Sequence, residues 1–160
     1  MKILFFDIDS TKIKEYENIL GEIKNLDFVH GSLDDIMEKY TVDVLVSPAN
    51  SFGVMTGGID RDIANKYPMV VQNVNNKINE SHRLDSGGRK YIPVGSCEAV
   101  SLDNKKKIML IAPTMFLPKN IVGTNNVALA FVAILNKTKR LWHTEREVLM
   151  ACPCLGTGVG

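Results

Sequence analysis

Apolar residues in this chain fall into two alternating patterns, short unbroken runs and stripes at helical spacing. Ile3-Leu4-Phe5-Phe6, within Lys2 to Ile8, reads as a first strand. Asp9 or Ser10 can cap a helix from about Thr11 to Lys24, on which Ile13, Tyr16, Ile19, Leu20 and Ile23 form one stripe. Phe28 to Leu33 predicts a short strand and Leu33 to Tyr40 a helical connection. Val44-Leu45-Val46, aliphatic throughout, suits a strand buried on both faces, and Pro48 ends its hydrogen bonding because it has no N–H. Ile59 to Lys66 has helix-forming composition. Pro68 then opens a helix over Met69 to Leu84 with Val70, Val71, Val74 and Ile78 inward, stopped by Ser86-Gly87-Gly88.

Lys90 to Leu102 and Lys107 to Thr114 predict a hairpin about Asp103-Asn104-Lys105, with Cys97, Ala99 and Ser101 alternating against Glu98 and Val100. Lys105-Lys106-Lys107 is then a solvated turn. From Gly123 to Arg140 the apolar face is so broad (Val127, Leu129, Ala130, Phe131, Ala133, Ile134, Leu135) that it implies a buried helix, and Lys137, Lys139 and Arg140 suit its last turn. Phe116 either fills core or walls a pocket, core being the simpler reading. Trp142 is most simply a lid on the core edge, followed by His143 in a connecting segment. Glu147 to Pro153 is a late strand.

Composition narrows the class. A chain of 160 residues, 45% hydrophobic and 23% charged, fits one domain with a real core. A net charge of +1 supplies no basic field for duplex DNA. Cys97, Cys152 and Cys154 are too few for a disulfide framework, and the sequence shows neither a signal peptide nor an apolar stretch of about 20 residues. The expectation is a cytoplasmic monomer that does not enter membranes. Cys152 and Cys154 form C-x-C without a second pair and point to one face of a strand, so packed thiols are favoured over a metal site. His82 lies among polar residues and reads as a surface histidine.

Candidate chemistry gathers after Val46. Ser47-Pro48-Ala49-Asn50 leaves the sheet, and Gly53, Gly57 and Gly58 allow positive φ and close approach to a ligand. A glycine turn feeding a helix at Ile59, with Asp60 and Asp62 in its first turn, presents several N–H groups to an anion. A plain turn with a capping aspartate accounts for the same residues.

The order of these residues decides between the two. Asn50, Gly57-Gly58 and Asp60, with asparagine and aspartate ten positions apart, resemble the first ligand loop of hydrolytic macro domains, which bind ADP-ribose. Pro153-Cys154-Leu155-Gly156-Thr157-Gly158-Val159-Gly160 is similar to the family's second phosphate loop. The resemblance spans nearly the whole chain and implies one domain over 1–160, ending at Gly160 without the helix that usually follows that loop. With the strand and helix pattern, it implies a three-layer α/β/α sandwich on a mixed, mostly parallel sheet of about six strands, with its ligand beyond the strand carboxyl ends.

The resemblance also implies site roles. Gly57, Gly58, Ile59, Gly156, Thr157, Gly158, Val159 and Gly160 would direct backbone N–H groups at a diphosphate, so that neither metal nor cofactor is needed. Asn50 would meet the distal ribose and Asp60 would position or deprotonate an attacking water, making the chain a hydrolase of ADP-ribosylated protein or of ADP-ribose 1''-phosphate. Gly31-Ser32-Leu33 stands where the family carries Gly-Asp-Ile, so the adenine contact passes to the Ser32 side chain and the Leu33 N–H, or to Asp34 if the loop shifts by a residue or two. Ser47-Pro48 and Met55-Thr56 also depart from the family's loop. These departures keep open a second reading, a non-catalytic ADP-ribose reader in which Asp60 only caps its helix.

Overall fold

Unbroken apolar runs become strands and stripes become helices in the computed structural model, which describes residues 1–103, 107–142 and 147–157. The elements are β1 (Lys2–Asp7), α1 (Ser10–Leu20), β2 (Leu26–His30), α2 (Leu33–Lys39), β3 (Val44–Ser47), α3 (Gly58–Lys66), α4 (Met69–Asn79), β4 (Glu98–Ser101), β5 (Ile108–Ile111), α5 (Asn126–Leu141) and β6 (Leu149–Pro153). They form a six-stranded sheet in the order β2-β1-β6-β3-β5-β4. Every pairing is parallel except β4 with β5.

Alternation along the strands divides the interior in two. Leu4, Phe6, Leu45, Met109 and Ile111 face one side, where Leu33 and Ile36 of α2, Ile63 of α3 and Val70, Val74 and Ile78 of α4 cover them. Ile3, Phe5, Val44, Val46, Leu110 and Cys152 face the other, beneath Ile13 of α1 and Ala130 and Ile134 of α5. This is the expected three-layer sandwich. Among the described residues, no helix is long and apolar enough to cross a membrane.

Local chemistry fixes the helix starts. Asp9 accepts the Thr11 N–H at 2.9 Å to cap α1. Ser32 and Asp35 cap α2 reciprocally, Asp35 N–H to Ser32 Oγ and Ser32 N–H to Asp35 Oδ2. Such caps contribute about 1 kcal/mol each.

Several expectations are corrected. α1 ends at Leu20, so Ile23 lies beyond it, and Ile19 is 78% exposed because the buried face runs through Ile13, Tyr16 and Leu20. α4 ends at Asn79, which leaves the surface residue His82 in the following loop, and Val71 faces solvent. α5 starts at Asn126 and is not buried all round: Leu129 and Val132 are exposed. The 90–97 stretch is loop, because Pro93 lacks an N–H, Gly95 sits at φ +83 and the Ile92 N–H is taken by the Ser51 carbonyl. Phe116 is at the surface, while Trp142 packs on the edge of the α1–α5 core as expected. Cys152 and Cys154 are buried thiols. The 104–106 part of the predicted turn and His143 lie outside the described residues.

Candidate functional site

β6, β3 and β5 are adjacent and parallel, so the loops that follow them leave one edge of the sheet side by side. Pro48 stops the β3 ladder, and neighbouring backbone takes over its hydrogen bonding. The Ala112 N–H donates to the Ser47 carbonyl at 3.1 Å and the Thr114 N–H to the Ala49 carbonyl at 3.2 Å. Thr114 Oγ1 donates to the Pro48 carbonyl at 2.9 Å. The Ser51 N–H reaches the Met115 carbonyl, and the Ile92 N–H reaches that of Ser51, each at 2.9 Å. The loop after β3 is thus tied on both sides.

Asn50 shapes this loop from within. Its Oδ1 accepts the Phe52 N–H at 3.0 Å and the Val54 N–H at 3.3 Å, while Nδ2 donates to the Val54 carbonyl at 3.0 Å. The resemblance directs this amide to a ribose, whereas here its bonds run to its own loop. The chain then reaches the glycines. Gly58 lies at φ +53, but Gly57 is extended at φ −143 and does not use the left-handed freedom expected of it. A Cβ on either would meet nothing within 4 Å. Open space therefore fronts the α3 N-terminus, which no side chain caps. Its free N–H groups, with Ile59 among the first helical residues, form a position suited to an anion.

Asp60 lies in the first turn of α3 and is only 8% exposed. Ser47 Oγ, at the buried end of β3, donates to Asp60 Oδ1 at 2.7 Å. Burial pushes the Asp60 carboxyl up to about 6, against the opposing pull of the serine hydrogen bond. Oδ2 takes no hydrogen bond from any described residue. No described side-chain oxygen or nitrogen is sealed away without a partner, so Oδ2 keeps contact with solvent. A carboxylate that titrates near neutrality and is reached by water through one oxygen can accept a proton.

The other predicted residues are distributed unevenly. After β6, Gly156 turns at φ +74, and a Cβ there would come within 2.6 Å of Val127 Cγ2. Thr157 Oγ1 lies 2.7 Å from the Cys154 carbonyl oxygen and 3.2 Å from Asp7 Oδ2. Tyr16 donates its phenol hydrogen to the Leu155 carbonyl at 2.7 Å, which holds the turn against α1. Gly158, Val159 and Gly160 lie outside the described residues. The Ser32 hydroxyl is closed on Asp35 Oδ2 at 2.6 Å, and the Leu33 side chain is core. Asp34 pairs with Lys66 at 2.5 Å. The α2 end therefore offers backbone rather than side chains. Among the described residues, no group of three or more His, Cys, Asp or Glu is placed to hold a metal.

Two features escaped the sequence reading. Ser47 had no assigned role, although it is the last strand residue before a proline and lies opposite the helix that the loop feeds. An aromatic group also stands on the tied loops: the Phe52 and Tyr91 rings meet Phe116 at 5.1 and 5.2 Å, and the Arg89 guanidinium lies 4.5 Å over Phe52. No spacing rule joins these residues, which come from three separate loops.

No protein-family model matches the chain, and no curated protein matches it in sequence. Solved structures do match. The macrodomain of Mycobacterium tuberculosis DarG is 18% identical, with a TM-score of 0.59 over 76% of this chain and 73% of that one. The macrodomain of Thermus aquaticus DarG is 11% identical, with a TM-score of 0.54 over 74% and 93%. A mutant Oceanobacillus iheyensis macrodomain, solved with ADPR, is 14% identical, with a TM-score of 0.50 over 71% and 78%. At these identities the likeness is one of architecture, and it gives this chain the macrodomain fold.

Proposed function

We propose that the open position in front of the α3 N-terminus binds ADP-ribose or a derivative of it, and that Asp60 hydrolyses the bound derivative. The observation that carries this reading is the Ser47–Asp60 pair, a mostly buried carboxyl held near neutrality with one oxygen left to solvent, in the helix turn that follows the open Gly57-Gly58 position. N–H groups at Gly57, Gly58 and Ile59, with the Gly156–Thr157 turn, hold the diphosphate. The Leu33 N–H receives the adenine, since the Ser32 N–H and carbonyl are already bonded within α2. Asp60 Oδ2 takes a proton from water as the water oxygen bonds to the distal anomeric carbon. The bond from that carbon to the protein side chain breaks, and its electron pair leaves with the side-chain atom, which is reprotonated from solvent. On ADP-ribose 1''-phosphate the same water bonds to phosphorus and the P–O1'' bond breaks. General-base help of this kind contributes roughly 10² to 10⁴ in rate.

A specific observation favours the reader alternative. Asn50 spends its amide on its own loop and Asp60 is mostly buried, an arrangement that suits a rigid binding loop without chemistry. Calorimetry and turnover together decide. ADP-ribose is expected to bind one to one and more tightly than AMP, which lacks the second phosphate and distal ribose. Mono-ADP-ribosylated protein or ADP-ribose 1''-phosphate is expected to be hydrolysed. Equal affinity for ADP-ribose and AMP removes the pocket assignment, whereas binding without turnover leaves a reader.

A further inference from the structure

Ser47 ends a buried strand at 1% exposure, beside a proline and thirteen positions before the carboxylate it touches. Its backbone is already used, since its carbonyl accepts the Ala112 N–H. Its hydroxyl has a single described partner, Asp60 Oδ1. Asp60 is itself fixed to the first turn of α3, so a bond from β3 ties the rotation of its carboxyl group to the sheet rather than to the glycine loop. We propose that Ser47 is a positioning residue that controls Asp60: its hydroxyl caps Oδ1, keeps the carboxylate in one rotation and leaves Oδ2 as the only oxygen turned to water. The proposal rests on the hydrolase reading only for its effect on rate, because control of the carboxyl group is measurable without turnover.

Chemistry elsewhere leaves this task to the serine. Burial and the Ser47 bond are the influences on the proton affinity of Asp60. The charged groups on the surrounding helices are paired elsewhere or, like Glu38 and Lys39 of α2, exposed. Arg61 and Asp62, its neighbours on α3, are exposed and 3.9 Å apart. Lys66 of α3 pairs with Asp34 of α2, Asp35 of α2 is closed on Ser32, and Lys77 of α4 pairs with Glu80. With no cation among the described residues to keep Asp60 ionised, a neutral donor to a charged acceptor is the available stabiliser, and such bonds are roughly twice as strong as neutral ones.

The test is an NMR titration of the carboxyl carbons in wild-type protein, Ser47→Ala, Ser47→Thr and Ser47→Cys, with a pH profile of kcat/KM for each. In Ser47→Ala the Asp60 midpoint should move above its wild-type position, and the acid limb of the profile should move with it. The expected loss is roughly 3- to 10-fold at pH 6, shrinking to under about twofold at pH 9. Ser47→Thr should restore both midpoint and limb. Ser47→Cys, similar in size but a poor donor, should behave like alanine and stands in if the alanine variant does not fold. ADP-ribose affinity should change little in all of them. An Asp60 midpoint that stays in place when the hydroxyl is removed, or a rate loss equal at all pH values, overturns the proposal. A shifted midpoint in a protein that turns over neither substrate leaves the Ser47 control standing and removes the hydrolase reading instead.

Discussion

Gly53 lies against Val74 so closely that a methyl group on the glycine would come within 2.4 Å of Val74 Cγ1 and 2.7 Å of Ile78 Cδ1. Its φ of +64 adds a second reason for glycine. Gly53→Ala should therefore destabilise the protein by roughly 2–4 kcal/mol, overpacking adding to backbone strain. Thermal unfolding checks this, and a melting temperature within a degree of wild type would contradict the fit of this loop onto α4.

Gly57 gives the opposite expectation. Its backbone is extended and a side chain there projects into open space, so a β-branched residue suits its φ and ψ. Gly57→Val should leave the melting temperature nearly unchanged while lowering ADP-ribose affinity by about tenfold or more, because the new methyl groups occupy the position in front of the α3 N–H groups. Unchanged affinity in calorimetry would place the diphosphate elsewhere.

Asn50 and Asp60 should separate by what their loss affects. Asn50→Ala removes the bonds that hold 50–54 together and should reduce stability by roughly 1–3 kcal/mol, ADP-ribose affinity and turnover alike. Asp60→Ala should cut turnover by about 10² or more with a modest change in affinity, since its role is in the transition state. Full rate in Asp60→Ala, with either substrate, would remove it from the chemistry.

The raised Asp60 carboxyl also acts on stability. Folded, it titrates at about 6, against an ordinary value of 3.8, so the native state holds its proton more tightly than the unfolded chain does. Between those two values stability falls as pH rises, and the cost, about 3 kcal/mol by linkage, is absent below the lower value and complete above the upper one. Asp60→Asn should remove the slope and raise stability at pH 8 relative to wild type. Denaturant melts at pH 4 and pH 8 measure both effects.

What could be read in advance depended on how local each cause was. Val44-Leu45-Val46 suits a strand buried on both faces, and the glycine turn before Asp60 suits the start of a helix, so sheet and loop are legible in the sequence. Periodicity reports a stripe but not what covers it, so it assigns Ile19, Val71 and Leu129 to the inside although all three are exposed. The strand expected from Lys90 failed at Pro93 and Gly95, where turn chemistry outweighed alternation. Ser47 and the aromatic group of Phe52, Tyr91 and Phe116 depend on loops meeting in space, which spacing along the chain does not encode.

The position of β6 has a consequence for how the molecule assembles. β1 and β3 are not hydrogen-bonded to each other; the strand that separates them is the last of the six in the chain. Without the pairings of residues 149–153, the sheet would be two parts, β2-β1 and β3-β5-β4, with no ladder between them. Joining them requires contacts between residues far apart in sequence, the slow kind in folding. Asp7 and Thr157, which meet at the end of β1 and beyond the end of β6, lie 150 positions apart. The strand that joins the two parts of the sheet thus also carries the Gly156–Thr157 turn to the edge where the loop after β3 leaves, so the two halves of the proposed site share one support.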